Sequence, residues 1–397
     1  MLELLTPPEA DPILSLIVKF KEDIRGNKID LGIGVYKDEY DQTPVMKAVR
    51  NASVTIATTE QSKSYIGPMG DELFNTLVQN LLLGGCAANS RASTIQTPGA
   101  SGALRMLADL IYTARPNSKV WISDPSYINH RPIMEKAGLE VCEYPYFDLE
   151  TKQVDESAMM SVVETLGKND VLLVHGCCHN PTGADLSMLA WKKIAQLSKK
   201  NGFLPFIDVA YQGLGGDLDE DAKGYRFLVD QVEEALVSTS CSKNFGLYKE
   251  RTGAAIVIGK SLQKAQTART HMAQLSRGSY SMPPANGASV VTEILNDDIL
   301  IQQWKSELSR MRERILNLRK ALVESFRKQT NSNKFDYIAL HKGMFSMTGF
   351  SDDEIQKLQD KYAIYIVKGG RINIAGLQEN QIDDVVAAII DVTTKKV

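Results

Sequence analysis

Three polar residues stand where short apolar runs end: Asn180 in Cys-His-Asn-Pro-Thr-Gly, Asp208 in Phe-Ile-Asp-Val-Ala-Tyr, and Lys243 in Ser-Cys-Ser-Lys-Asn-Phe-Gly. Singly, an aspartate after a strand also reads as a helix cap, and a loop lysine as a solvated charge. Together they form a chemical set: an amine able to make an imine, a carboxylate able to keep a ring nitrogen protonated, and a partner for a phenolate oxygen. Pyridoxal phosphate asks for that set and, in addition, for an anion site. Pro98-Gly99-Ala100-Ser101-Gly102, between an apolar run and a helical pattern, supplies one, because free backbone N–H groups and the helix dipole favour an anion there. Alone, the same stretch reads as a tight turn. Ser240 and Arg251 add a hydroxyl and a planar fork suited to phosphate.

The elements that must position these groups repeat between about residues 93 and 260. A short apolar run, a loop of small and polar residues and a helical pattern recur, with runs at 92–97, 119–123, 171–174, 204–207, 235–239 and 254–258. Strands alternating with helices predict a mostly parallel sheet covered on both faces, and in such sheets ligands sit beyond the carboxyl ends of the strands. A helix is expected at about 101–112. Residues 301–328 read as one long charged helix, with Trp304, Leu308, Met311, Ile315 and Leu318 at three- to four-residue spacing. At 1.5 Å per residue it spans about 40 Å, enough to bridge two domains. Beyond it, short strand-like pieces at 345–347, 363–367 and 371–374 alternate with short helices, as in a smaller α+β domain.

Composition bounds the function. The 397 residues are 43% hydrophobic and 23% charged, with a net charge of -3, so no field gathers nucleic acid or anionic lipid. Five cysteines, an odd number in a long chain, argue for a reducing compartment over a disulfide framework. No signal peptide and no membrane span are read, so a cytoplasmic enzyme is expected.

Three other patterns read down. His175-Gly-Cys-Cys-His179 holds zinc-type ligands, but no second cluster completes a tetrahedral site, and no metal is expected. Gly259-Lys-Ser lacks the P-loop's earlier glycine, position 254 being Ala. Gly32-Ile-Gly34 lacks the third glycine of a dinucleotide fingerprint, position 37 being Lys.

Ser240-Cys-Ser-Lys243 with Arg251 eight residues on, Cys-His-Asn-Pro-Thr-Gly, Asp-Val-Ala-Tyr-Gln at 208–212 and Gly-Arg-Ile-Asn-Ile-Ala-Gly from 370 resemble the class I aspartate and aromatic amino acid aminotransferases. The similarity begins at Asp11-Pro12-Ile13-Leu14, includes Leu31-Gly-Ile-Gly-Val-Tyr-Lys-Asp and covers essentially the whole chain. It implies an α/β fold: a large domain, 45–310, with a mostly parallel seven-stranded sheet (the fold type I of pyridoxal-phosphate transferases), a small α+β domain from 15–44 and 311–397, and an N-terminal arm, 1–14.

By position, the resemblance implies that Lys243 forms the imine with pyridoxal phosphate and shuttles the proton, and that Asp208 pairs with the ring nitrogen, supported by His130. Tyr211 and Asn180 would bond the phenolate oxygen, and Ala100, Ser101, Ser240 and Arg251 the phosphate, joined by Tyr65 of a neighbouring subunit. Arg371 would take the substrate's α-carboxylate, Gly34 would close over it, and Arg277 would reach a distal carboxylate from the other subunit. These imply a homodimer with shared sites, exchanging an amino group between L-aspartate and 2-oxoglutarate in ping-pong fashion. The alternative is an aromatic or dual-specificity enzyme. Lys37, Thr43 and Ser64, polar and near the expected pocket, tilt toward dicarboxylates. Two positions depart from the family's habit: Tyr127 stands where many members stack Trp on the cofactor, and Gly369 where a small polar residue is common.

Overall fold

The computed structural model describes residues 1–7 and 12–393, so Asp11, part of the expected arm and residues 394–397 lie outside the described residues. Seven strands, β1 (Ala92–Pro98), β2 (Lys119–Asp124), β3 (Glu140–Pro145), β4 (Asp170–His175), β5 (Leu204–Val209), β6 (Ala235–Ser240) and β7 (Thr252–Ile258), form one sheet in the order β1-β7-β6-β5-β4-β2-β3. Every residue of β6 and β7 is buried, as expected for a sheet covered on both faces. Pairing from β6 through β3 is parallel; β7 alone runs antiparallel to both its neighbours, β1 and β6.

The individual runs predicted six of these strands. The seventh, β3, reads Glu-Val-Cys-Glu-Tyr-Pro and lies at the sheet edge, where charged residues blunt pairing with other chains. Its polarity hides it from a search for apolar runs.

The helix after β1 spans Gly99–Ala114 and buries Ala103, Leu104, Leu107, Ala108 and Ile111, one stripe at helical spacing. The long helix runs Asp298–Thr330, 33 residues or about 50 Å, longer than its apolar pattern at both ends. Asp297 caps it, accepting from the N–H groups of Ile299 and Leu300 at 2.8 Å each. Its partners change along its length. Trp304 Nε1 donates to Asn244 O at 2.8 Å and Glu307 accepts from Lys47 N at 2.7 Å, whereas Arg319 donates to the carbonyls of Ile338, Gly343 and Phe345.

Two small pairings complete the architecture. Ile29–Asp30 runs parallel to Ile364–Tyr365, tying an early segment to the last quarter of the chain, and Phe345–Met347 runs antiparallel to Arg371–Asn373. No helix among the described residues is long and apolar enough to cross a membrane.

Candidate active site

Strand register assembles the floor. His175, Asp208 and Ser238 are neighbours across β4, β5 and β6, so three side chains distant in sequence meet at the carboxyl ends of the strands. Ser238 Oγ donates to Asp208 Oδ1 at 2.7 Å, and His130 Nε2 lies 3.1 Å from Oδ2. An ionised carboxylate only accepts, so His130 is the donor there, and its Nδ1 lies 2.9 Å from Ser126 Oγ. Burial alone would raise the Asp208 carboxyl, but the bond and charge of His130, with Ser238, outweigh it and hold it below the usual value. A buried carboxylate kept anionic is what a protonated ring nitrogen needs.

Lys243 follows β6 on a loop pinned from behind. Phe245 stacks on Trp304 at 4.4 Å and 6°, and Trp304 Nε1 holds Asn244 O. Burial pulls the Lys243 ammonium down to about 8; Asp208 opposes this, while the charges of Arg251 and Arg371 reinforce it. Its Nζ lies 4.9 Å from the Tyr211 ring centre. Burial raises the Tyr211 phenol, keeping it a neutral donor.

The anion end is built by close backbone approach. Gly99 has φ +69°, and a Cβ there would stand 2.6 Å from Arg251 Nη2. A Cβ on Gly253 would stand 2.9 Å from Ala100 N. Pro98 gives the helix at Gly99 no side-chain cap, so its first N–H groups, beside the Arg251 guanidinium, suit a phosphate. Arg251 Nη1 is oriented by Ser242 Oγ at 3.3 Å and Tyr248 O at 3.2 Å.

At the other end Arg371 Nη2 donates to Gly32 O at 2.6 Å and Nη1 to Asn180 Oδ1 at 3.3 Å, with the guanidinium 4.4 Å above the Phe345 ring. Its Nε is buried with no partner, a donor left for an incoming acceptor. Gly369 has φ +85° and Gly370 +82°, so the turn into this strand asks for glycine at the departing position, since a side chain there is strained.

Gly34, Ala100, Ser101, Tyr127, Asn180, Asp208, Tyr211, Ser240, Lys243 and Arg251 all line one cavity of about 180 Å³. Arg371 joins it through Asn180, and His130 through Asp208. Tyr127 meets the His130 ring edge-on at 5.3 Å, its hydroxyl accepting from Asn129 Nδ2 at 2.9 Å. Two expected residues stay apart: Tyr65 is 92% exposed, and Arg277 is exposed near the end of the helix Leu262–Ser279. Sequence reasoning missed His175, Ala210, Ser242 and Tyr248 on the cavity wall and Ser238 beneath it. Ser238 had a signal, two residues before Ser240 on one strand, but only the register aims it at Asp208.

In the zinc-like stretch, His179 is held by Ser123 Oγ and Thr182 Oγ1, both at 2.9 Å. Cys177, Cys178 and Asp221 bring ligand atoms within 4.8 Å of one another, yet the Asp221 carboxylate already accepts from the N–H groups of Gly213, Gly215 and Gly216.

Comparison with known proteins gives this geometry a context. The family model described as aminotransferase class I and II matches residues 26–389. An aromatic-amino-acid aminotransferase of Paracoccus denitrificans is 42% identical over 392 residues, covering 99% of this chain and 100% of the relative. An aspartate aminotransferase of Escherichia coli is 41% identical over 395 residues, with the same coverage. The solved aromatic-amino-acid aminotransferase of Burkholderia pseudomallei, covalently bound to pyridoxal phosphate, superposes with a TM-score of 0.96 at 35% identity, covering 99% of both chains.

Proposed function

The chain belongs to the class I and II aminotransferases, enzymes that use pyridoxal phosphate, and from that premise we propose that it exchanges an amino group between L-aspartate and 2-oxoglutarate, giving oxaloacetate and L-glutamate. The observation that carries the reading is one cavity lined by Lys243 and Asp208, with Arg371 bonded to Asn180 on its wall. The residues present fit the cofactor: the uncapped helix start beside Arg251 suits its phosphate, and anionic Asp208 its ring nitrogen. When bound, it supplies an electron-withdrawing ring that makes the Cα–H of an amino acid acidic.

The chain's own groups do the rest. Lys243, with its amine tuned toward neutrality, attaches the cofactor and moves the proton at Cα. Arg371 clamps the α-carboxylate with its free Nε and a fork already aimed by Gly32 and Asn180, while Tyr211 and Asn180 offer donors to the phenolate oxygen. The transfer runs in two half reactions, so ping-pong kinetics follow.

We read the working unit as a homodimer in which Tyr65 and Arg277, exposed here, serve the partner's site. Residues 45–310 form the large domain and 15–44 with 311–397 the small one, and the five free cysteines suit a reducing cytoplasm.

Aromatic donors are the second reading, favoured by a relative named for aromatic amino acids at 42% identity. A panel of aspartate, glutamate, phenylalanine and tyrosine with 2-oxoglutarate tests both. The highest kcat/KM is expected for aspartate. Equal or higher values for the aromatic donors overturn the first reading, and no transfer from any donor overturns both.

A further inference from the structure

The segment from Gly32 to Tyr36 forms neither helix nor strand, so its place depends on the bonds and packing that other elements give it. Gly34 lines the active-site cavity, and a Cβ there would stand 3.0 Å from Phe345 Cζ, on the ring beneath the Arg371 guanidinium. Gly32 O takes one arm of the Arg371 fork at 2.6 Å. Where this segment sits therefore decides where Arg371 points.

On one side the segment is anchored by Asp30 and by Asn373, two residues past Arg371. Asp30 Oδ1 accepts from Gly32 N at 2.9 Å and Ile33 N at 3.1 Å, and Asn373 Nδ2 donates to Ile33 O at 2.7 Å and Val35 O at 2.8 Å. On the other side stands Tyr248, whose hydroxyl oxygen accepts from Tyr36 N at 3.1 Å. Among the described residues this is the one hydrogen bond between the backbone of 32–36 and residues 45–310.

Tyr248 lines the same cavity from the loop that carries Lys243, and its carbonyl oxygen accepts from Arg251 Nη1 at 3.2 Å. One residue thus bonds the arginine of the anion end through its backbone and the segment of the carboxylate end through its side chain. Burial raises the Tyr248 phenol to about 12, against the pull of the Tyr36 N–H, so the hydroxyl accepts while keeping its own proton. Phenylalanine would fill the same space and offer no acceptor.

We infer that Tyr248 is a positioning residue: through its bond to Tyr36 N it fixes the segment 32–36 and so aims the Arg371 fork at the substrate's α-carboxylate, an inference that rests on the proposed role of Arg371. The bond is present before and during reaction alike, so losing it weakens binding and spares the chemical step.

Tyr248→Phe, prepared as the holoenzyme, tests this. KM for aspartate is expected to rise roughly five- to tenfold with kcat within about twofold of the parent, the worth of one hydrogen bond lost from binding. The calorimetric Kd of succinate, a dicarboxylic acid without an amino group, should rise by the same factor. Cofactor affinity should hold, because the carbonyl that orients Arg251 remains. An unmoved KM and Kd, a fall in kcat at unchanged KM, or loss of the cofactor overturns the inference. A parent enzyme that transfers no amino group would strike the proposed function, and the succinate titration would still decide the role of Tyr248. Should the variant fail to fold, the Tyr36 amide of the parent decides, since linkage is reciprocal: saturating succinate should slow its hydrogen exchange by about the same factor, and an unchanged rate refutes the inference.

Discussion

The floor of the candidate active site and the two residues proposed for its rim are built by opposite strategies. On the floor, one chain supplies every partner: Asp208 is held by His130 and Ser238, and the Lys243 loop by Trp304. Tyr65 and Arg277, proposed for the rim of a partner's site, stand exposed on their own chain. Rigidity is spent where a charge must be fixed without water, because a buried ion stays ionised only when its hydrogen bonds are in place. In the proposed dimer, the groups that close the site over substrate come from the second chain.

The sharpest break of that contrast is on the floor. Lys243→Ala should lower kcat by roughly 10²–10⁴-fold from lost proton transfer alone, read by single-turnover absorbance. Residual turnover near the parent rate would remove the amine from the mechanism. Next, Trp304→Ala should destabilise the fold by about 3–5 kcal/mol in a denaturant titration, since a fully buried indole leaves a cavity and a lost bond to Asn244 O. A loss under 1 kcal/mol would mean the loop is not supported from behind.

On the rim, Arg277→Ala should cut kcat/KM for aspartate by roughly 10- to 100-fold, the worth of about 1.5–3 kcal/mol for a charge-assisted bond, and spare phenylalanine. Mixing Lys243→Ala and Arg277→Ala subunits should restore one good site per mixed dimer; no recovery of aspartate turnover would count against shared sites.

The smallest effect sharpens the floor. Ser238→Ala removes one of the bonds that hold the Asp208 carboxyl low, so its pKa rises and the acid limb of the kcat profile moves to higher pH. The loss near neutral pH is about 0.5–1.5 kcal/mol, or a few-fold in rate. A limb that stays in place would show that Asp208 does not set it.

Much of this was legible in the chain itself. Runs of apolar residues marked six strands and the long helix, and Lys243, Asp208, Asn180 and the loop at Gly99 marked one chemistry, because these signals are local: a period, a cap, a residue type at a strand end. Capping signals went unused, so Asp297 and Asn331 extended the long helix past its apolar stripe. What only the tertiary structure decided is which neighbours meet. The antiparallel insertion of β7, the polar edge strand, the alignment of Ser238 with Asp208 and the fork of Arg371 on Asn180 all join residues remote in sequence. Such pairings depend on register and packing, which a one-dimensional pattern does not carry.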